Sequence, residues 1–269
     1  MYSCATPIIR DARQAIGLVG DSENKEVWSC DFLQITDLFF RPIFACFINV
    51  SMIRRRLVVI QPTRAFDALV FDLGGVLIEL AGVARMLELL EHRLSVDELW
   101  AHWLASETVR QFESGRIGAQ QFATAVCREF NLAIPADAFL LEFTAWPQGL
   151  YPGAIELLQD LASTYTLACL TNTNAAHWPR ISDEMALLPH FAMHFASHQL
   201  GLLKPDPAIF HYVITQLSLD PVRILFLDDN QVNVDSARSI GMTAYRVVGL
   251  EGVKQQLVAL KIWPVSASA

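Results

Sequence analysis

The sequence predicts an α/β fold: a doubly wound, mostly parallel sheet with a helical subdomain inserted near its start. Three observations predict it. Five short apolar runs, each bounded by turn or polar residues, have the length and composition of buried strands. Segments with apolar residues three and four apart lie between most of them, the alternation of a parallel sheet. One interval, 81–150, lacks any strand-like run, and about 70 residues is too long for a plain connection.

The first run is Ala68–Phe71. Four amphipathic segments then follow, Ala81–His92, Val96–Ala105, Ala119–Phe130 and Ala136–Phe143, with breaks at Ser114-Gly115 and Ile134-Pro135. No convincing strand lies between Leu80 and Leu150, so this interval reads as an insert of helices. Pro152-Gly153 is a helix start signal, and Ala154–Ala162 carries the helical spacing after it. Strands are expected at Thr166–Leu170, Phe191–Ala196, Ile224–Leu227 and Thr243–Val248. Helices are expected at Pro207–Leu217, Val232–Ile240 and Gly252–Leu260. The organisation read from this is an N-terminal extension (1–63), a core built from 64–80 and 151–262, the helical insert (81–150) and a short tail (263–269). No repeat or low-complexity segment interrupts it.

The extension reads differently. An apolar run from Leu38 to Ile53 is interrupted by Arg41 and Pro42 and followed by Arg54, Arg55 and Arg56. A spanning helix needs about 20 largely apolar residues, so no membrane anchor is expected. The arginines follow the apolar stretch, whereas a secretory signal puts its positive charge first. Met52 reads as an alternative start. The Asn49-Val50-Ser51 triplet matches a glycosylation sequon, which carries no meaning in a cytosolic chain.

Composition narrows the function classes. The 269 residues are 53% hydrophobic and 18% charged, which excludes a disordered chain. A formal net charge of −8 disfavours nonspecific contact with nucleic acid or an anionic membrane. A small phosphate can still be held by a local site. The five cysteines, Cys4, Cys30, Cys46, Cys127 and Cys169, are odd in number and show no CxxC spacing. Neither a disulfide framework nor a zinc site is expected, and a reducing, cytoplasmic setting fits.

In an open parallel sheet, ligands bind beyond the carboxyl ends of the strands. Asp72-Leu73-Gly74-Gly75 follows the first run, and Thr171-Asn172 follows the second. Lys204 stands before the helix at Pro207, and Asp228-Asp229-Asn230 follows the run at 224–227. These are the parts for metal-assisted phosphoryl transfer through a carboxylate nucleophile. A charge at Asp72, emerging from an apolar strand, needs compensation from a divalent cation and a lysine. Gly74 and Gly75 allow close approach of the backbone to a phosphate. Thr171 and Asn172 add neutral donors, and Lys204 offsets charge that develops during transfer. Asp228 and Asp229 are adjacent and cannot point the same way, so one binds the cation while the other orients the site.

The ordered motifs FDLGGVL (71–77), LTNTN (170–174), GLLKPDP (201–207) and FLDDNQVN (226–233) resemble the haloacid dehalogenase-like hydrolase superfamily. NTNAAHW (172–178) and FESGRI (112–117) make the chain most similar to its small sugar-phosphate phosphatases, those resembling α-D-glucose-1-phosphate phosphatase. The resemblance implies that Asp72 is a nucleophile forming an aspartyl-phosphate. It implies Mg²⁺ between Asp72, the Gly74 carbonyl, Asp229 and the phosphate, with Asp228 beside them. Leu73, Gly74, Thr171, Asn172 and Lys204 would hold the substrate, a small phosphate ester such as a sugar phosphate, and the helical insert would be a cap over the site. A monomer or homodimer is expected, with no nucleic-acid partner. The sequence departs from the pattern in one place. Most phosphatases of the superfamily carry a second aspartate two residues after the nucleophile, as general acid and base. Here that position is Gly74, which keeps a backbone carbonyl and supplies no proton.

Other readings stand beside these. Asp72 also reads as a solvated aspartate, Asp228-Asp229 as a helix N-cap pair, Thr171-Asn172 as a turn, and Lys204 as a surface lysine. His190, His194 and His198 recur at every fourth position, but on the strand read at 191–196 such side chains stand about 13 Å apart, too far for one metal. His177 and Trp178 read equally as site lining or as packing. Two other functions use the same scaffold: a metal-free 2-haloacid dehalogenase, and a noncatalytic binding protein, which Gly74 keeps open.

Overall fold

The structure is a computed structural model that describes residues 64–264. The apolar run at 38–53, Met52, the sequon and three of the cysteines lie outside the described residues.

Five parallel strands form the central sheet: β1 (Ala68–Phe71), β4 (Thr166–Thr171), β5 (Met193–Ala196), β6 (Ile224–Asp228) and β7 (Thr243–Arg246), in the order β5-β4-β1-β6-β7. Among the described residues two further strands, β2 (Ile78–Leu80) and β3 (Pro147–Leu150), lie outside this sheet. β1 is central, and its Phe71 lies opposite Cys169 of β4 and Leu227 of β6. The continuous apolar character of these strands has a direct cause. Leu69 and Phe71 pack into one core, with α6 (Ala154–Ala162) and α10 (Gly249–Ala259). Val70 points the other way, into a second core with α8 (Pro207–Leu217) and α9 (Gln231–Ser239). Both faces are covered, so a period-two strand has no polar face to show. This is the doubly wound sheet expected from the sequence.

Between β1 and α6 lie α1 (Gly82–Leu89), α2 (Val96–Ala105), α3 (Glu107–Glu113), α4 (Ala119–Glu129) and α5 (Ala136–Thr144). They enclose a third core, in which the Phe112 and Phe122 rings stack at 4.2 Å. α2 starts at a capping box, Ser95 with Glu98. Two parts of this region differ from expectation. β2 (Ile78–Leu80) and β3 (Pro147–Leu150) pair antiparallel where no strand was expected before Leu150. They are three and four residues long, and Pro147 and Gly149 are poor strand formers, so no periodicity marks them. α3 lies between the expected helices Val96–Ala105 and Ala119–Phe130, where no element was assigned. Seven residues show too little periodicity, although Ser106 caps its start by accepting from Val109 N at 3.2 Å.

Element ends shift slightly. α1 stops at Leu89, before Glu91 and His92 at positive φ, and β7 stops two residues before Val248, so α10 begins at Gly249. A short helix, α7 (Ser197–Leu200), follows β5 directly. Among the described residues, no helix is long and apolar enough to cross a membrane. Cys127 and Cys169 are free thiols.

Candidate active site

Strand register brings the acids together. Because Phe71 and Leu227 are partners, the next residues, Asp72 and Asp228, leave their strands at the same level. Asp72 is buried at 8% exposure, and its Oδ1 accepts from Leu73 N at 2.7 Å. Its Oδ2 lies 2.9 Å from Lys204 Nζ. Lys204, in the loop between α7 and α8, is also buried. Its ammonium donates to Asp228 Oδ2 at 2.6 Å and to the Leu170 carbonyl at 3.0 Å, above the Phe226 ring. All three of its protons therefore have acceptors. Burial opposes this charge, and Asp228 and Asp72 more than offset that, so the ammonium stays charged well above the usual range.

The two neighbouring aspartates divide their work. Asp228 is fully buried and satisfied on both oxygens, by Lys204, by Asn230 N at 2.8 Å and by Asn233 Nδ2 at 3.0 and 3.1 Å. Asp229 turns toward Asp72, and carboxylate oxygens of Asp72, Asp228 and Asp229 all lie within 4.8 Å of one another. Neither aspartate is the N-cap of α9. Asn230 is, accepting from Val232 N at 3.0 Å. Burial, together with the neighbouring carboxylates, raises both Asp72 and Asp229 above the ordinary carboxylate range, against the pull of Lys204.

The glycine turn after Asp72 leaves room beside these oxygens. Gly75 lies at φ 71°, and a Cβ there would sit 2.4 Å from Asp229 Oδ2. The bonds from Gly75 N to the Ile78 carbonyl and from Ile78 N to the Leu73 carbonyl hold the turn, and both bypass the Gly74 carbonyl. Hard carboxylate oxygens on Asp72 and Asp229, a nearby backbone carbonyl and a cradle that a Cβ would fill suit a small oxygen-seeking dication such as Mg²⁺.

Two of the expected substrate contacts are partly committed elsewhere. Leu73 has its side chain in the apolar core and its N–H on Asp72, so it does not line the site. Asn172 spends its amide on Lys204: Nδ2 donates to the Lys204 carbonyl and Oδ1 accepts from Lys204 N, both at 2.9 Å. One N–H of the amide remains. Thr171 ends β4, buried, on the wall of the same cavity.

That cavity, about 390 Å³, holds Asp72, Gly74, Thr171, Asn172, Lys204 and Asp229 at one end. The α1–α5 layer closes the other end with Met86, Trp103, Val109, Phe143 and Trp146. His177 also lines it and stacks on Phe143 at 4.2 Å. Its ring nitrogens face the Phe143 carbonyl (Nε2, 2.7 Å) and Asn174 Nδ2 (Nδ1, 3.2 Å), which suits the neutral imidazole. Burial holds it down to about 4.

Glu113, at the end of α3, is the site residue that sequence reasoning passed over. It was visible only as one letter of the FESGRI stretch. Its side chain lines the cavity, where burial pushes its carboxyl up to about 7 against Lys204, the Trp103 indole and Arg110. Its backbone is tied to the core, since Ser197 Oγ donates to the Glu113 carbonyl at 2.7 Å and accepts from Thr173 N at 2.9 Å. The histidine series gathers no metal set: His194 Nε2 faces the Leu188 carbonyl at 2.7 Å, while His198 packs edge-on against Trp178.

Comparison with known proteins agrees with this arrangement. A family model described as haloacid dehalogenase-like hydrolase matches residues 66–241. A phosphoglycolate phosphatase of Mesorhizobium japonicum is 29% identical over 188 residues, covering 66% of this chain and 81% of its own. A sesquiterpene phosphatase of Aspergillus oryzae is 27% identical over 180 residues, covering 66% and 87%. A solved HAD family enzyme from Bacteroides thetaiotaomicron, in complex with magnesium and inorganic phosphate, superposes with a TM-score of 0.55 at 24% identity, over 68% of this chain and 94% of its own.

Proposed function

Because the chain belongs to the haloacid dehalogenase-like hydrolase family, we propose that it is a Mg²⁺-dependent phosphatase of small phosphate monoesters that works through a phosphoryl group carried on Asp72. One observation carries this reading: three carboxylates within 4.8 Å of one another, with a single buried ammonium among them, at the carboxyl ends of parallel strands. The phosphatase relatives support the same reaction class, and they differ from one another in the alcohol they release. A sugar phosphate, the expectation from sequence, is one member of that class.

Asp72, Asp229 and the Gly74 carbonyl would hold Mg²⁺, which supplies positive charge to the phosphate oxygens and orients them. Asp228 holds Lys204 in place rather than serving as a ligand. One Asp72 oxygen attacks phosphorus as the bond from phosphorus to the alcohol oxygen breaks. Water then attacks the phosphoryl group, releasing phosphate and restoring the carboxylate. Lys204 offsets negative charge on Asp72 and on the transferring group, and Asn172 fixes the lysine's backbone. Thr171 and the remaining Asn172 N–H donate to phosphate oxygens. The α1–α5 insert, 81–150, is the cap that excludes water. The Asp72 and Asp229 carboxylates, suited to a cation, give no support to a metal-free dehalogenase.

The test measures phosphate release by the full chain from acetyl phosphate and p-nitrophenyl phosphate. Release should require Mg²⁺, stop with EDTA and be absent in Asp72→Asn. Turnover that survives Asp72→Asn removes the nucleophile from this account.

A further inference from the structure

We infer that the cap end of the cavity accepts an apolar group, so that the substrate is the phosphate monoester of a hydrocarbon or aromatic alcohol rather than a sugar phosphate. This deepens the phosphatase reading and rests on it. The wall opposite the acids is built from Leu99, Trp103, Val109, Phe143 and Trp146; its polar groups are Arg110 and the indole N–H groups of Trp100, Trp103 and Trp146, the last without a partner, while Glu113 lies within the field of Lys204, toward the acids. A sugar brings several hydroxyls, and each one buried without a partner costs roughly tenfold or more in affinity. The few indole donors and Arg110 supply no acceptor for a hydroxyl proton, so this wall cannot satisfy a ring of hydroxyls. A hydrocarbon chain gains instead with every methylene it removes from water.

The rim supports the same assignment. Leu80, Trp100, Leu104 and Val232 line this cavity and are 45%, 39%, 48% and 55% exposed. They make up four of the nine large apolar residues that the described part of the chain leaves exposed. Such exposure gathered at the mouth of one cavity marks a binding surface. The volume, about 390 Å³, falls in the range of small-molecule sites.

The test compares kcat/KM for geranyl monophosphate, 1-naphthyl phosphate, ribose 5-phosphate, 2-phosphoglycolate and acetyl phosphate. We expect the first two to exceed ribose 5-phosphate by about a hundredfold. In Trp100→Ala and Leu104→Asn the preference for geranyl monophosphate over acetyl phosphate should fall at least tenfold through KM, with thermal unfolding checking that each variant is folded. A preference for ribose 5-phosphate or phosphoglycolate, or a selectivity unchanged in both variants, overturns the inference while leaving the phosphatase reading intact. No Mg²⁺-dependent release from any of these phosphates, the acyl phosphate included, overturns both.

A different observation carries a second inference. An alcohol must leave with a proton, and Gly74 has none to give. Glu113 places a carboxyl in the same cavity, and its backbone is fixed to the core through Ser197. Gly115 packs the same turn against the His198 carbonyl, where a Cβ would lie 2.3 Å away. We propose that Glu113 is the proton donor to the leaving oxygen. Its O–H bond breaks as the bond from phosphorus to the alcohol oxygen breaks, and the proton passes to that oxygen. In the second step its carboxylate takes a proton from the water that attacks phosphorus, and Asp72 leaves as carboxylate.

Glu113→Gln should lower kcat on an alkyl phosphate by about a hundredfold. The loss on p-nitrophenyl phosphate, whose leaving group needs little protonation, should be at least tenfold smaller. The alkaline limb of the kcat profile on the alkyl ester should disappear in the variant. Equal losses on both esters, or an alkaline limb that persists, overturn the assignment.

Discussion

Adjacent glycines give a sharp test of the proposed metal cradle, because one methyl group should have opposite consequences at the two positions. At Gly75 the backbone is left-handed, at φ 71°, which costs an alanine roughly 1–2 kcal/mol. The new Cβ would also sit 2.4 Å from Asp229 Oδ2, and ordinary contact begins near 3.4 Å. The carboxylate must therefore move by about an ångström, half the length of an Mg²⁺–oxygen bond of about 2.0–2.1 Å. Disturbing the support of a metal ligand typically costs about 10- to 100-fold in affinity. We expect Gly75→Ala to raise the Mg²⁺ concentration for half-maximal phosphate release by at least that factor. At Gly74 the added Cβ would meet only Leu80, nearest at Cδ1, 2.8 Å, the end of a flexible side chain that is 45% exposed. A rotamer change there costs about 1 kcal/mol, so the Mg²⁺ requirement of Gly74→Ala should shift at least tenfold less. The assay is phosphate release from acetyl phosphate against Mg²⁺ concentration, with urea unfolding in EDTA as the check on the fold. Equal shifts in the two variants, or none in Gly75→Ala, would refute the geometry.

Three further outcomes follow from the same structure. Lys204→Met leaves Asp72 and Asp228 buried without their cation, which should abolish turnover and cost about 3–5 kcal/mol in urea unfolding. Ser197→Ala removes the acceptor of Thr173 N and the donor to the Glu113 carbonyl, and should cost about 1–3 kcal/mol by the same measurement. His177 is held down to about 4 in the folded chain, so the unfolded chain binds its proton first as pH falls. Its contribution is intact above about 6.5 and is lost toward pH 4, by at most about 3 kcal/mol, and His177→Gln should flatten that stretch of the stability curve.

The parts of this protein that sequence made legible are those fixed by local chemistry. Ala68–Phe71 and Ile224–Leu227 read as strands because both faces are covered, leaving continuous apolar runs. Asp72 and Asp229 were legible as candidates because strand ends in a parallel sheet converge and their motifs stand just past those ends, whereas Lys204, in the loop after α7, rests on its own motif. What stayed hidden depends on contacts between distant residues. Nothing near Asn172 in sequence says that its amide is taken up by Lys204, 32 residues away. Nothing near Ser197 points to Glu113, 84 residues away. Pro147–Leu150 is a strand only because Ile78–Leu80 lies beside it. The resemblance in sequence favoured Asp229 over Asp228 as the cation ligand, and the hydrogen bonds that occupy both Asp228 oxygens are contacts the sequence could not show.

One feature of the acid cluster reaches into the kinetics. When ionised, Asp72, Asp228 and Asp229 outnumber the single ammonium of Lys204, so the cluster itself carries a net two negative charges. A phosphate dianion approaching that potential is repelled until a dication cancels it. Addition should then be compulsorily sequential, metal before ester, and raising the ester concentration should never substitute for missing Mg²⁺ in initial-rate plots.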